Sequence, residues 1–159
     1  MRRFVLAAFA PIVLAACQPA TTELTEEQKA EIAAEVNAIH AEMWAAWREA
    51  DVPEAMSNYL DSPEFTLALQ GQLINGFRAF DGLVGSIFSN VESQTITVDE
   101  TRTAVFAANT VCVVEHVTYT MTDTDGITSP EYTAVLTSLW VKNDSEWRIH
   151  HYHNSSPTR

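Results

Sequence analysis

The chain has 159 residues and carries 21 Asp and Glu against nine Lys and Arg, a formal net charge of −12 at pH 7. A surface of that sign repels phosphate backbones and anionic headgroups, which excludes nucleic acid as a partner and charge as a means of holding a membrane. The length suits one domain with a core of its own.

In chain order, the first stretch is "MRRFVLAAFAPIVLAACQPA". Arg2 and Arg3 precede an apolar run over residues 4–16, broken only by Pro11. The run falls short of the about 20 apolar residues that a spanning helix needs, and it has the proportions of a secretory signal peptide. Its end, Leu14-Ala15-Ala16-Cys17, resembles the lipobox of bacterial lipoproteins. The resemblance implies that residues 1–16 are removed and that Cys17 carries the lipid. Removing them takes away two arginines and no acids, which moves the net charge from −12 to −14. The lipid is then the protein's only hold on the membrane. Gln18 follows the cysteine in place of an aspartate, which favours the outer membrane, with the domain facing the periplasm. With Cys17 so used, Cys112 has no partner for an internal disulfide, and its apolar surroundings predict a buried, inert thiol.

Residues 17–24 read as a tether. Thr25 and Gln28 have the spacing of a capping box, and Glu26 and Glu27 suit the positive end of a helix dipole. Ile32, Val36, Ile39, Met43 and Trp47 then recur at helical steps, so a long helix is expected from residue 25 to about 50. Asp51 and Pro53 predict a short second helix near residues 53–60. Residues 64–76 read as two short strands meeting at Gln70-Gly71, and residues 77–90 as a third helix.

From Ser93 the hydrophobic period changes to two. Strands are expected over residues 93–100, 103–122 (bulged near Asn109), 130–142 and 146–155, with turns at Asp125-Gly126 and Asp144-Ser145. Helices first and a meander of long strands afterwards predict an α+β domain over residues 25–156. Three helices would pack in the concave face of a strongly curved antiparallel sheet, a cone with a pocket inside.

Three segments carry a resemblance to a known family. They are "MWAAWREAD" ending the first helix, "GQLINGFRAF" passing from strand to helix, and the closing "SLWVKNDSEWRIHHYHNSS". The chain resembles the SnoaL-like branch of the nuclear transport factor 2-like superfamily, which also contains ketosteroid isomerase. The resemblance implies the cone fold, a small-molecule pocket and a homodimer formed through the outer sheet face. No position matches the ketosteroid isomerase base or its two proton donors, so no catalytic residue is carried over, and no cofactor is implied.

The closing strand holds His150, His151 and His153. Regular alternation puts Trp147, Ile149, His151 and His153 on one face and His150 on the other. Trp147 and Ile149 are the apolar pair, so their face is expected to meet the helices. A two-residue turn at Asp144-Ser145 pairs Trp140 with Ile149, Ser138 with His151 and Leu136 with His153. A turn at Asp125-Gly126 pairs Tyr119 with Tyr132 and Glu115 with Leu136. The expected pocket therefore contains Glu115, Tyr119, Tyr132, Trp140, Trp147, His151 and His153, with Tyr59, Trp44 and Trp47 contributed from the helices.

Three readings of the inward histidines stay open. A His-x-His pair can ligate zinc, but a third ligand must come within about 2.0–2.2 Å, and Glu115 lies two strands away; no metal site is expected. One histidine could serve as a general acid or base, oriented by Glu115, Tyr119 or Tyr59. Or both are structural, and the pocket binds a small, partly apolar molecule. The binding reading leads, and an acid–base enzyme of isomerase, cyclase or dehydratase type is the alternative.

Overall fold

A computed structural model describes residues 23–157. The apolar leader and Cys17 lie outside the described residues. Helix α1 spans Glu26–Arg48 and begins with the expected capping box, in which Thr25 and Gln28 satisfy each other's backbone N–H groups. Its buried face is Val36, His40, Met43, Trp44 and Trp47, with Ile32 and Ile39 at the margins. Helix α2, Val52–Met56, is capped by the Asp51 side chain as expected but stops short of residue 60. Helix α3 spans Phe77–Phe88 and buries Phe80 and Val84.

The strands are β1 Thr66–Leu69, β2 Gln72–Asn75, β3 Val91–Ala107, β4 Thr110–Asp123, β5 Tyr132–Asn143 and β6 Glu146–Ser155. They form one sheet in the order β2-β1-β6-β5-β4-β3. The sheet ends on β2 and β3 and is not closed. Three expectations need correction. The expected strand over 103–122 is divided, its first five residues continuing β3 and residues 110–122 lying in β4, and Asn109 lies in the turn between them, not in a bulge. The bulges fall inside β3, one of them at Asp99. The sheet is mixed, because β1 runs parallel to β6. A parallel neighbour requires a long crossover, and here everything between β1 and β6 supplies it.

The two tightest hairpins follow turn chemistry. Asp144 and Ser145 both have positive φ, at 48° and 77°, as do Gln70 and Gly71, at 48° and 81°. Two consecutive positive φ values twist a two-residue turn in the sense of the strands it joins. The Asp144-Ser145 turn seats Trp140 opposite Ile149, and the β4–β5 register seats Glu115 opposite Leu136 and Tyr119 opposite Tyr132, all as expected.

Beyond Ile149 the expected register fails. Leu139 pairs with His151, Ser138 with Tyr152 and Leu136 with Asn154, because one extra residue, His150, is accommodated in β6 opposite Trp140. A bulge of one residue inverts the facing of everything after it. Tyr152 and Asn154 turn inward, and His151 and His153 turn out. The core sits between α1, α3 and the inner face, with Trp140, Trp147, Phe65, Met43 and Ile149 among its fully buried side chains.

Candidate functional site: an aromatic cavity beside a buried histidine–glutamate pair

Two adjoining features occupy the inner face. The first is a cavity of about 170 Å³ between α1, α3 and the sheet. Trp44 and Trp47 come from α1, Phe80, Val84, Ile87 and Phe88 from α3, and Tyr59 from the segment after α2. The sheet adds Val117, Tyr119, Met121, Leu136, Tyr152 and Asn154. Lining residues on the deep side, such as Val117 and Tyr59, are buried, whereas Ile87 is 45% exposed and marks the mouth. Tyr59 stands edge-on to Phe80 at 5.0 Å and to Tyr152 at 5.7 Å between ring centroids.

The lining contains no acid, lysine, arginine or histidine. Burial pushes the hydroxyls of Tyr59 and Tyr152 well above the usual tyrosine range, and burial followed by the neighbouring Tyr132 raises Tyr119. All three are neutral at physiological pH. The cavity is thus uncharged, with the buried Asn154 Oδ1 left without a hydrogen-bond partner.

The second feature lies on the other side of Trp44. Glu115 is 4% exposed and His40 is 4% exposed, and His40 Nε2 stands 2.7 Å from Glu115 Oε2. The Trp44 indole N–H donates to the same oxygen at 2.9 Å, and the Thr101 hydroxyl donates to Oε1 at 3.1 Å. Burial alone would raise the Glu115 pKa, but the hydrogen bonds and charge of His40, then those from Trp44 and Thr101, outweigh it, and its pKa falls below the usual glutamate value. The His40 ring is fixed by edge-on contacts with Trp44 at 6.0 Å and Trp140 at 5.6 Å. Its Nδ1 is buried without a partner.

The expected site residues divide accordingly. Trp44, Trp47, Tyr59 and Tyr119 line the cavity. Glu115 faces inward but belongs to the pair with His40. Trp140 and Trp147 are core: the Trp140 indole donates to Ser138 at 3.0 Å, and Lys142 lies over the Trp147 ring at 5.4 Å. Tyr132 stacks on Tyr119 from outside the cavity, with centroids 5.6 Å apart. His151 and His153 are not in the pocket. The bulge turns His151 onto the other face, where its Nδ1 meets the Thr66 hydroxyl at 2.7 Å, and leaves His153 exposed. His150 is half-buried beside Asn143, and burial lowers its pKa. Cys112 is half-buried and free, and burial raises its thiol pKa. Among the described residues no three His, Cys, Asp or Glu gather as a metal site would require.

Sequence reasoning missed His40, Tyr152 and Asn154. His40 was detectable in principle: it follows Val36 and precedes Trp44 by four residues, which puts a titratable ring in the middle of an apolar stripe.

Three helices feeding a curved sheet whose inner face holds a small aromatic cavity define an α+β domain of the cone type. The chain belongs to the SnoaL-like domain family, whose family model matches residues 36–159. A search of curated proteins finds no match. Among solved structures, the chain is similar to a nuclear transport factor 2-like superfamily protein from Salmonella enterica serovar Typhimurium. That match has a TM-score of 0.71 and 19% identity over 82% of this chain and 94% of the other. It is similar also to a ketosteroid isomerase-like protein from Erwinia carotovora atroseptica (TM-score 0.65, 20% identity, 81% and 98% covered). A third is the association domain of C. elegans CaMKII (TM-score 0.64, 14% identity, 81% and 98% covered). At these identities the likeness shows the fold.

Proposed function

We propose that the protein is a lipid-anchored binding protein of the bacterial envelope, on the outer membrane and facing the periplasm, that holds a small, neutral, partly apolar molecule in the aromatic cavity. The observation that carries this reading is a lining mostly of aromatic and aliphatic side chains, with the amides of Gln94 and Asn154, no ionised group and one unpartnered acceptor, Asn154 Oδ1. Such cavities favour an apolar body carrying a single hydrogen-bond donor. Size narrows the class. A dry cavity of about 150 Å³ takes a benzene-sized guest, so about 170 Å³ fits one ring, and anything larger would protrude past Ile87.

The anchor rests on the Leu-Ala-Ala-Cys ending of an apolar run too short to span. More than one acyl chain holds firmly where a single chain holds marginally. Replacing Cys17 with Ser is expected to move the protein from the membrane fraction to the soluble one, as fractionation and immunoblotting would show; retention in the membrane fraction counts against the anchor.

The outer sheet face, where Val135 is 44% exposed, is proposed as the surface of a homodimer, in line with the family resemblance. Native mass spectrometry of the purified full-length protein tests both readings at once. The expected spectrum is a dimer that carries a neutral small molecule, released chemically unchanged. A ligand-free spectrum at every collision energy counts against the binding reading, and a monomer counts against the dimer.

One observation favours a second reading. The buried His40–Glu115 contact at 2.7 Å is how an imidazole is oriented for proton transfer. One structural relative is named as ketosteroid isomerase-like. In this reading the chain is an acid–base enzyme of isomerase, cyclase or dehydratase type. Binding takes precedence because Trp44 stands between the pair and the aromatic cavity, so no lining group of that cavity is placed to move a proton.

A further inference from the structure

The histidine–glutamate pair has an opening of its own. A cleft of about 380 Å³ runs between α1 and the bend in β3, separate from the aromatic cavity and sharing only Trp44 with it. The bulge at Asp99 is what bends β3 here. The floor is His40 and Glu115, both buried, and the rim is Asn37, Arg48 and Thr101, all exposed.

Arg48 is distinctive in this acidic protein. The other described cations are each paired with a carboxylate: Lys29 with Glu26, Arg78 with Asp61, Arg102 with Glu100, Lys142 with Glu35 and Arg148 with Glu146. Among the described residues Arg48 has no such partner. Its Nε donates to the Ile96 carbonyl at 3.0 Å, which fixes the guanidinium at the rim and leaves its terminal N–H groups free. On the floor of the cleft, His40 has its buried Nδ1 without a partner. A buried polar atom in that state is costly, and a ligand group that meets it recovers the cost.

We propose that the cleft is a second binding site, for a small organic acid with a hydroxyl at its far end. The ligand's carboxylate pairs with Arg48 in the forked geometry a guanidinium offers. Its body lies along Trp44, and its hydroxyl is directed to His40. The orientation is set by charge: Glu115, an ionised carboxylate at the floor, repels the acid end and leaves it at the rim. Eight helical residues separate His40 from Arg48, about 12 Å along the axis, and both line the cleft, so a ring with a substituent at each end suits the distance between the floor and the Arg48 guanidinium. This site does not depend on what the aromatic cavity binds.

The test is an NMR titration of the full-length protein with 4-hydroxybenzoate, with benzoate and 4-hydroxybenzyl alcohol as comparisons. The Arg48 Nε–H and the Thr101 methyl report the cleft, and the Met121 and Val84 methyls report the cavity. 4-Hydroxybenzoate is expected to shift the cleft signals saturably at millimolar concentration and to spare the cavity signals. Benzoate, which lacks the hydroxyl, is expected to bind more weakly, and the alcohol, which lacks the charge, to leave the cleft unmoved. Arg48→Gln, at an exposed position, is expected to fold normally and to bind 4-hydroxybenzoate about tenfold more weakly, as loss of a charged pair implies. Unmoved cleft signals, shifts confined to Met121 and Val84, or an Arg48→Gln protein that binds as tightly as the parent would each overturn the proposal.

Discussion

Replacing Glu115 with alanine is expected to lower the unfolding free energy by about 3–5 kcal/mol, since the buried donors on His40 and Trp44 each lose their acceptor at about 1–3 kcal/mol. Three donors converge on this carboxylate, from His40, Trp44 and Thr101. His40 and Trp44 are buried, so water cannot replace the lost acceptor without opening the core. Urea unfolding followed by tryptophan fluorescence measures the loss, and an effect below about 1 kcal/mol, the scale of an exposed pair, would mean that the pair is loosely held. The same group predicts an acid dependence. Its folded pKa lies below the ordinary value of 4.5. A depressed carboxylate contributes stability that is fully present above the unfolded value and is lost as pH falls through the folded one. Glu115→Gln is therefore expected to flatten the stability profile below about pH 4.5.

Tyr152→Ala is expected to cost about 2–3 kcal/mol, somewhat below the range for a fully buried aromatic because the ring is only partly buried. It should also abolish binding in the cavity, since the Tyr152 ring forms part of the wall against Tyr59. His153→Ala, two strand positions from Asn154's other neighbour Ser155 and on the exposed side, is expected to change stability by less than about 0.5 kcal/mol, as exposed substitutions do. The contrast comes entirely from the bulge at His150. An unbulged β6 would give the opposite ranking, with His153→Ala the damaging change and Tyr152→Ala the mild one. Thermal unfolding of the two variants side by side reads the difference.

The bulge also marks where the sequence stops being legible. Along β4 and β5 burial alternates strictly, from Val111 through Val117 and from Ala134 through Trp140, and the pairing of Glu115 with Leu136 and of Tyr119 with Tyr132 could be worked out from one turn, at Asp125-Gly126. After Ile149 the chain reads His-His-Tyr-His-Asn, where no residue is decisively apolar, so nothing in the pattern reveals that one position has been skipped. The consequence was large, because the facing of every later side chain depends on it. Long helices were easier. Thr25 and Gln28 announced the start of α1, and its apolar stripe gave Val36, Met43 and Trp47 of the buried face but not His40, Trp44 or Ala46. His40 sat on that stripe unremarked because its partner, Glu115, is 75 residues away, and a contact of that separation exists only once the sheet has been assembled. The parallel pairing of β1 with β6 was hidden for the same reason: four residues of strand carry no mark of the neighbour they will choose.

The cavity can be probed most directly with phenol, a neutral ring with one donor that matches its volume and its unpartnered Asn154 oxygen. Titrated into the full-length protein, phenol is expected to shift the Val84 and Met121 methyl signals saturably. Ile87→Trp, a substitution at the exposed mouth, is expected to abolish those shifts by closing the entrance. Benzoate, the same ring with a charge, is expected to leave them in place, because an uncharged lining offers an ionised carboxylate nothing to offset its lost hydration. Methyl signals that ignore phenol, or that respond equally to benzoate, would contradict a cavity built for a small neutral molecule.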